Sequence, residues 1–128
     1  MKSILAVDDD PISRTILHRI ILSIHHQPIL AESGNEAWAI LQDNPRIDLV
    51  ITDCEMANMG GRELNQKIRA HPQLCELPLI MVSGYVSYSD VANLLDAGVS
   101  RFLPKPVDLS ELSGYIRQLL GERYGSCL

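Results

Sequence analysis

Apolar residues in this chain fall into short unbroken runs separated by stretches with helical spacing. The runs at residues 4–7, 49–51 and 79–82 are continuous and rich in branched side chains, as strands covered on both faces are. Weaker runs at 29–31 and 101–103 complete a predicted set of five. Between them, Ile12, Ile16, Ile20 and Ile24 recur at i+4 steps, followed later by Ala37, Ile40 and Leu41, then Leu64 and Ile68, then Val91, Leu94 and Leu95. A last helix places Leu109, Leu112, Ile116 and Leu119 on one face, with Asp108 as its cap. Strict alternation of strand and helix implies right-handed crossovers, hence one parallel sheet with helices on both sides.

Size and composition leave that picture intact. The 128 residues suffice for one core, and with 46% hydrophobic and 21% charged residues the chain reads as globular. No repeat or second domain is visible; residues 1–122 are expected to form the domain and 123–128 a tail or the start of a linker. A net charge of -5 argues against a nucleic-acid-binding face. Cys54, Cys75 and Cys127 are odd in number and lack C-x-x-C spacing, so neither a disulfide framework nor a zinc site is suggested. No signal peptide or membrane-length apolar run is present, so a cytoplasmic protein without membrane contact is expected.

Polar residues at the strand ends change the picture most. In an open parallel sheet, ligands bind beyond the carboxyl ends of the strands. Following the first strand come Asp8, Asp9 and Asp10; Asp53 follows the third, Ser83 and Gly84 the fourth, and Pro104, Lys105 and Pro106 the fifth. Asp10 reads as the N-cap of the first helix, with Pro11 at the first helical position. Asp8, Asp9, Asp53 and Lys105 each have an ordinary reading as a cap, turn or solvated loop residue. Convergence on one sheet edge favours a joint role. Carboxylates about 4 Å apart repel by roughly 4 kcal/mol at an effective dielectric near 20, so the cluster needs a cation or bound protons. Three acids against one ammonium leave two negative charges, which one Mg²⁺ would neutralise while keeping room for phosphate oxygens. Such a site suits nucleophilic attack by Asp53 on phosphorus, with Lys105 and the Ser83 hydroxyl holding the phosphoryl oxygens. His18, His25, His26 and His71 lack ligand spacing and read as surface or helix-end residues, and Trp38 reads as packing.

At these residues the sequence resembles the receiver domain of two-component response regulators. The likeness runs through Ile4-Leu5-Ala6-Val7-Asp8-Asp9-Asp10-Pro11, Ser33-Gly34-Asn35-Glu36-Ala37, Asp48-Leu49-Val50-Ile51-Thr52-Asp53, Met81-Val82-Ser83-Gly84, and Ala97-Gly98-Val99 leading to Phe102-Leu103-Pro104-Lys105-Pro106. It implies an α/β, doubly wound (βα)5 flavodoxin-like fold with five parallel strands in the order 2-1-3-4-5. By the same resemblance, Asp53 accepts a phosphoryl group from a sensor histidine kinase or a histidine phosphotransfer protein. Asp8, Asp9, Asp53 and the backbone carbonyl of Glu55 form the Mg²⁺ site, Asp8 through a water. Lys105 contacts the phosphoryl group, and its bond to Pro106 is cis. Ser83 is the hydroxyl that moves toward the phosphate, and Phe102 is the aromatic switch that turns inward with it. Together they bias a two-state surface of the fourth helix, fifth strand and fifth helix, which engages a downstream protein or a missing effector domain. The domain itself is expected to be a monomer or weak dimer.

The chain departs from the family pattern at Ala57, where Pro is usual, and at Gly60-Gly61, where Asp-Gly is common. A slacker loop after Asp53 is the expectation, with Glu55 and Tyr85 flanking the site where they could obstruct or orient a hydrolytic water. Two other readings stay open on the residues. Asp53-Cys54-Glu55 fits an aspartate-nucleophile phosphatase in which the second acid acts as general acid/base, although the chain has no room for a capping domain. A degenerate receiver serving only as a protein-binding module is the other.

Overall fold

Each apolar run becomes one strand of a single sheet in a computed structural model of the chain, which describes residues 1–44, 46–56, 58–84 and 87–125. The strands are β1 (Ser3–Val7), β2 (Gln27–Ala31), β3 (Leu49–Asp53), β4 (Leu79–Ser83) and β5 (Arg101–Pro104). They alternate with helices α1 (Pro11–Ser23), α2 (Gly34–Asp43), α3 (Gly61–Ala70), α4 (Tyr88–Asp96) and α5 (Leu109–Gly125). All pairings are parallel, in the order β2-β1-β3-β4-β5. The doubly wound arrangement and its strand order are as expected.

Period-two alternation divides the strand side chains between two cores. Leu5, Val7, Val50, Leu79 and Met81 face α2, α3 and α4, packing with Ala37, Leu41, Leu64, Ile68 and Leu94. Ile4, Ala6, Leu49, Ile51, Ile80, Val82 and Leu103 face the other way, onto Leu17, Ile20 and Ile21 of α1 and Leu112, Ile116 and Leu119 of α5. The central strands are apolar on both faces because both faces are covered.

Three helix faces differ from the expectation. Ile20 is buried, but Ile12 and Ile16 are 72% and 46% exposed, and Leu17 and Ile21 supply the contact instead. An α-helix turns 400° in four residues, so a row of i+4 isoleucines drifts about 40° per step and spirals off the core. Leu95 lies one position past buried Leu94 and points outward, and Leu109, at the first position of α5, is exposed beyond the core.

The caps are local. Asp10 accepts hydrogen bonds from the Ile12 and Ser13 amides, with Pro11 at the first helical position. The Ser13 hydroxyl and these amides hold its carboxyl below the usual range. Asp108 accepts from the Glu111 amide as expected. At α4 the cap is a reciprocal box between Ser87 and Asp90, a Ser-x-x-Asp signal present in the sequence but not read there. Trp38 is half-buried, edge-on to His71 at 5.9 Å, and His26 Nδ1 accepts from the Lys2 amide. Cys54 and Cys75 are free thiols. Ala57, Tyr85, Cys127 and the tail reading for 126–128 lie outside the described residues.

Candidate functional site: an acidic cluster at the carboxyl edge of the sheet

The strands run slightly longer than the sequence pattern, so Asp53 and Ser83 are the last residues of β3 and β4 rather than the first residues beyond them. That placement fixes their backbones in the ladder. Cys54 N–H donates to Val82 O at 2.9 Å and Lys105 N–H to Ser83 O at 2.9 Å, drawing the ends of β3, β4 and β5 together. Asp8 follows β1 directly and is anchored by its own N–H to Ala31 O at 3.1 Å. Its Oδ1 accepts from the Asp10 amide at 2.9 Å, and its carbonyl accepts from Arg14 at 2.8 Å.

Lys105 joins two carboxylates that are far apart in the sequence, 97 and 52 residues before it. Its Nζ donates to Asp8 Oδ2 at 3.1 Å and to Asp53 Oδ2 at 3.2 Å. Asp8 is 1% exposed and Asp53 6%, whereas Asp9 stands in solvent at the rim. One oxygen from each of Asp8, Asp9 and Asp53 lies within 4.8 Å of the others, the one such cluster of potential metal ligands among the described residues. The Lys105–Pro106 peptide is cis.

The charges do not balance. Burial first, and then the charge of Asp8, push the Asp53 carboxyl above its usual range, against the pull of Lys105; Glu55 adds to the push. Burial alone would lower the Lys105 ammonium, but its bonds to Asp8 and Asp53 and their charges outweigh that and raise it. Three clustered acids sharing one ammonium form an all-oxygen, electron-rich donor set open on the Asp9 side, a chemistry that fits a hard divalent cation such as Mg²⁺.

Ser83 is at the expected edge, but its hydroxyl does not face open space. It donates to the Glu55 carboxylate, at 2.7 Å to Oε1 and 2.8 Å to Oε2. Glu55 entered the sequence reading as a backbone ligand or as a flanking acid; this side-chain bond joins residues 28 apart and left no local signal. Phe102 in β5 pairs with Met81 and lies half-buried against the α2–α3–α4 core.

The loop between Asp53 and α3 is drawn in at its end. A Cβ on Gly61 would sit 2.4 Å from Asp53 O and 2.7 Å from Met81 Sδ, and Gly61 N–H donates to Cys54 O at 3.1 Å. The Gly60-Gly61 pair thus permits α3 to lie against the end of β3, rather than leaving the slack expected there.

The sequence profile of the response regulator receiver domain matches residues 4–117. The chain belongs to that family. Among curated relatives, a chemotaxis protein CheY homolog of Campylobacter jejuni is 34% identical over 123 residues, covering 95% of each chain. The two-component response regulator ORR5 of Oryza sativa is 31% identical over 117 residues, covering 91% of this chain and 87% of that one. The crystal structure of a CheY-like receiver domain protein from Methanospirillum hungatei superposes with a TM-score of 0.88 at 28% identity, covering 98% of both chains. Family membership places the acidic cluster in a two-component receiver domain, and no helix among the described residues is long and apolar enough to cross a membrane.

Proposed function

We propose that this receiver domain accepts a phosphoryl group on Asp53 from a phosphohistidine of a sensor histidine kinase or a histidine phosphotransfer protein. The observation that carries the reading is Lys105 Nζ seated between buried Asp8 and Asp53, with Asp9 completing the acidic cluster. Among these acids Asp53 alone is part of a strand, the last residue of central β3, where the ladder holds a nucleophile's backbone rigidly.

The residues divide the work. The Asp53 carboxylate attacks phosphorus as the donor's P–N bond breaks, and the electron pair leaves on the histidine nitrogen. Lys105 holds a phosphoryl oxygen and offsets the charge that arrives with it. The Ser83 hydroxyl donates to a second oxygen once the group is in place. Asp8, Asp9, Asp53 and the Glu55 backbone carbonyl would hold Mg²⁺, Asp8 through a water; when bound, the ion supplies the positive charge that lets a phosphoryl group enter an acidic site.

The output follows from what Ser83 and Phe102 adjoin. Ser83 ends β4 and leads toward α4, while Phe102 lies in the paired strand β5. Movement of the hydroxyl toward the phosphoryl group and inward rotation of Phe102 would bias the surface formed by α4, β5 and α5, which binds a downstream protein. The domain is a phosphoacceptor that promotes its own phosphorylation and dephosphorylation, not a turnover enzyme.

Incubation of the protein with Mg²⁺ and acetyl phosphate, followed by intact mass, tests the reading. One added phosphoryl group, dependent on Mg²⁺ and absent from Asp53→Asn, is expected. Labelling of Asp53→Asn at the wild-type level, or an unmodified wild type under saturating conditions, would refute it.

A further inference from the structure

The Ser83–Glu55 bond bears on how the switch is set before any phosphoryl group arrives. A serine hydroxyl carries one hydrogen, and an ionised carboxylate can only accept. Here that hydrogen is directed at Glu55, 2.7 and 2.8 Å from its two oxygens. Phosphoryl oxygens are acceptors too, so Glu55 and a phosphoryl group on Asp53 compete for one donor. The competition is asymmetric in position. Ser83 is buried at the end of β4, whereas Glu55 is an exposed residue of the segment between β3 and α3. The Glu55 carboxylate can therefore swing into solvent and release the hydroxyl without disturbing either core.

We propose that the Glu55 side chain is a latch that retains the Ser83 hydroxyl in the unphosphorylated conformation, so that switching requires Ser83 to exchange the Glu55 carboxylate for the phosphoryl group. The inference rests on Asp53 as the acceptor, and it gives Glu55 a positioning role distinct from its backbone carbonyl. A hydrogen bond to a charged acceptor is roughly twice as strong as a neutral one. Glutamine at this position would keep a weaker acceptor, and alanine would keep none. The latch thus orders the variants Glu, Gln, Ala by increasing readiness to switch, at the cost of nothing in the core.

The experiment uses the full chain with Mg²⁺, titrated with beryllofluoride as the phosphoryl mimic and followed by the amide resonances of Ser83 and Phe102. Glu55→Ala is expected to bind beryllofluoride about tenfold more tightly than wild type, and Glu55→Gln about threefold. Before any beryllofluoride is added, the Ser83 amide of Glu55→Ala is expected to move toward its position in the loaded protein. In a Ser83→Ala background, where no hydroxyl can be latched, the Glu55→Ala gain should fall below about twofold, as for any pair whose coupling has been removed. Equal affinity of Glu55→Ala and wild type would overturn the latch. A gain of the same size in both backgrounds would overturn it too, because simple relief of negative charge would then explain the effect. A wild type that takes up neither beryllofluoride nor a phosphoryl group would instead overturn the acceptor reading on which the latch depends.

Discussion

Replacing Asp53 by Asn removes one of three acids whose oxygens lie within 4.8 Å of one another, and leaves side-chain volume nearly unchanged. At that separation and an effective dielectric near 20, each pair of unit charges repels by about 3.5 kcal/mol, and Asp53 faces two such neighbours. Lys105, at 3.2 Å, returns about 5 kcal/mol of attraction. The balance is a net repulsion of about 2 kcal/mol, reduced by solvent on the Asp9 side and increased by burial of the carboxylate itself. Without a divalent cation, Asp53→Asn should therefore be more stable than wild type by about 1–2 kcal/mol. In a chain of 128 residues this corresponds to a rise in Tm of about 4–7 °C.

The pH dependence has a definite sign. The Asp53 pKa is raised by folding from its ordinary 3.8. Below about 3.8 the group is protonated in both states and costs nothing. As pH climbs from there through the folded-state value, the unfolded chain gives up its proton first, so stability is lost and wild type falls behind the variant. Denaturant unfolding followed by the fluorescence of Trp38, with chelator at low ionic strength, should show the full gap at pH 7 and little of it near pH 4. Added Mg²⁺ should close or reverse the gap, because it binds the native wild type and not its unfolded chain. If Asp53→Asn were less stable than wild type in chelator at pH 7, the Lys105 attraction would outweigh the repulsion. The charge argument for a cation at this site would then fail.

Two further substitutions test neighbouring parts of the reasoning. Lys105→Met should destabilise the cation-free protein by about 2 kcal/mol, because it leaves Asp8 and Asp53 without the ammonium between them, and the loss should shrink in the Asp53→Asn background. Denaturant midpoints of the four proteins in that cycle check it, and additive losses would show that Lys105 does not act through Asp53. Gly61→Ala places a Cβ 2.4 Å from the Asp53 carbonyl, so it should cost about 1–3 kcal/mol and slow labelling of Asp53 by acetyl phosphate. A Tm within a degree of wild type would show that α3 can retreat from the strand.

The sheet was legible because each of its strands is sequence-local: an unbroken apolar run needs no knowledge of its partner. Helix faces were less so. Four isoleucines at i+4 steps look like a stripe on paper, but their drift around the α1 axis leaves Ile12 and Ile16 in solvent. The site was legible where a residue type coincides with the carboxyl end of a strand, as at Asp8, Asp53, Ser83 and Lys105. The Glu55 carboxylate on the Ser83 hydroxyl was not, because it depends on the path of the β3–α3 loop and on a side-chain rotamer. The tight end of that loop was misjudged for a related reason. Two glycines suggest freedom in a sequence, whereas here they permit contact between α3 and β3.

Among the described residues, the buried polar side chains are Asp8, Thr52, Asp53, Asn65 and Ser83. Four of these lie at the carboxyl ends of β1, β3 and β4, and the fifth sits under α4. Asn65 donates from Nδ2 to Ala97 O at 2.9 Å, at the C-terminal cap of α4. Arg69 donates from Nε to Gly98 O at 3.0 Å and from a terminal nitrogen to Leu77 O at 2.7 Å and Cys75 O at 2.9 Å. Both residues belong to α3, so the far end of α4 and the approach to β4 are tied to the same helix. Among the described residues, the near end of α4 shows its own Ser87–Asp90 box, a Ser87–Ser89 hydroxyl contact and a 4.0 Å approach of Arg62 to Asp90. Under the proposed switch, a displacement beginning at Ser83 would meet a helix tied to α3 at its C-terminal end through Asn65 and Arg69. That tie would favour movement of α4 about Ala97 and Gly98, the end at which Leu94 is seated in the core beside exposed Leu95.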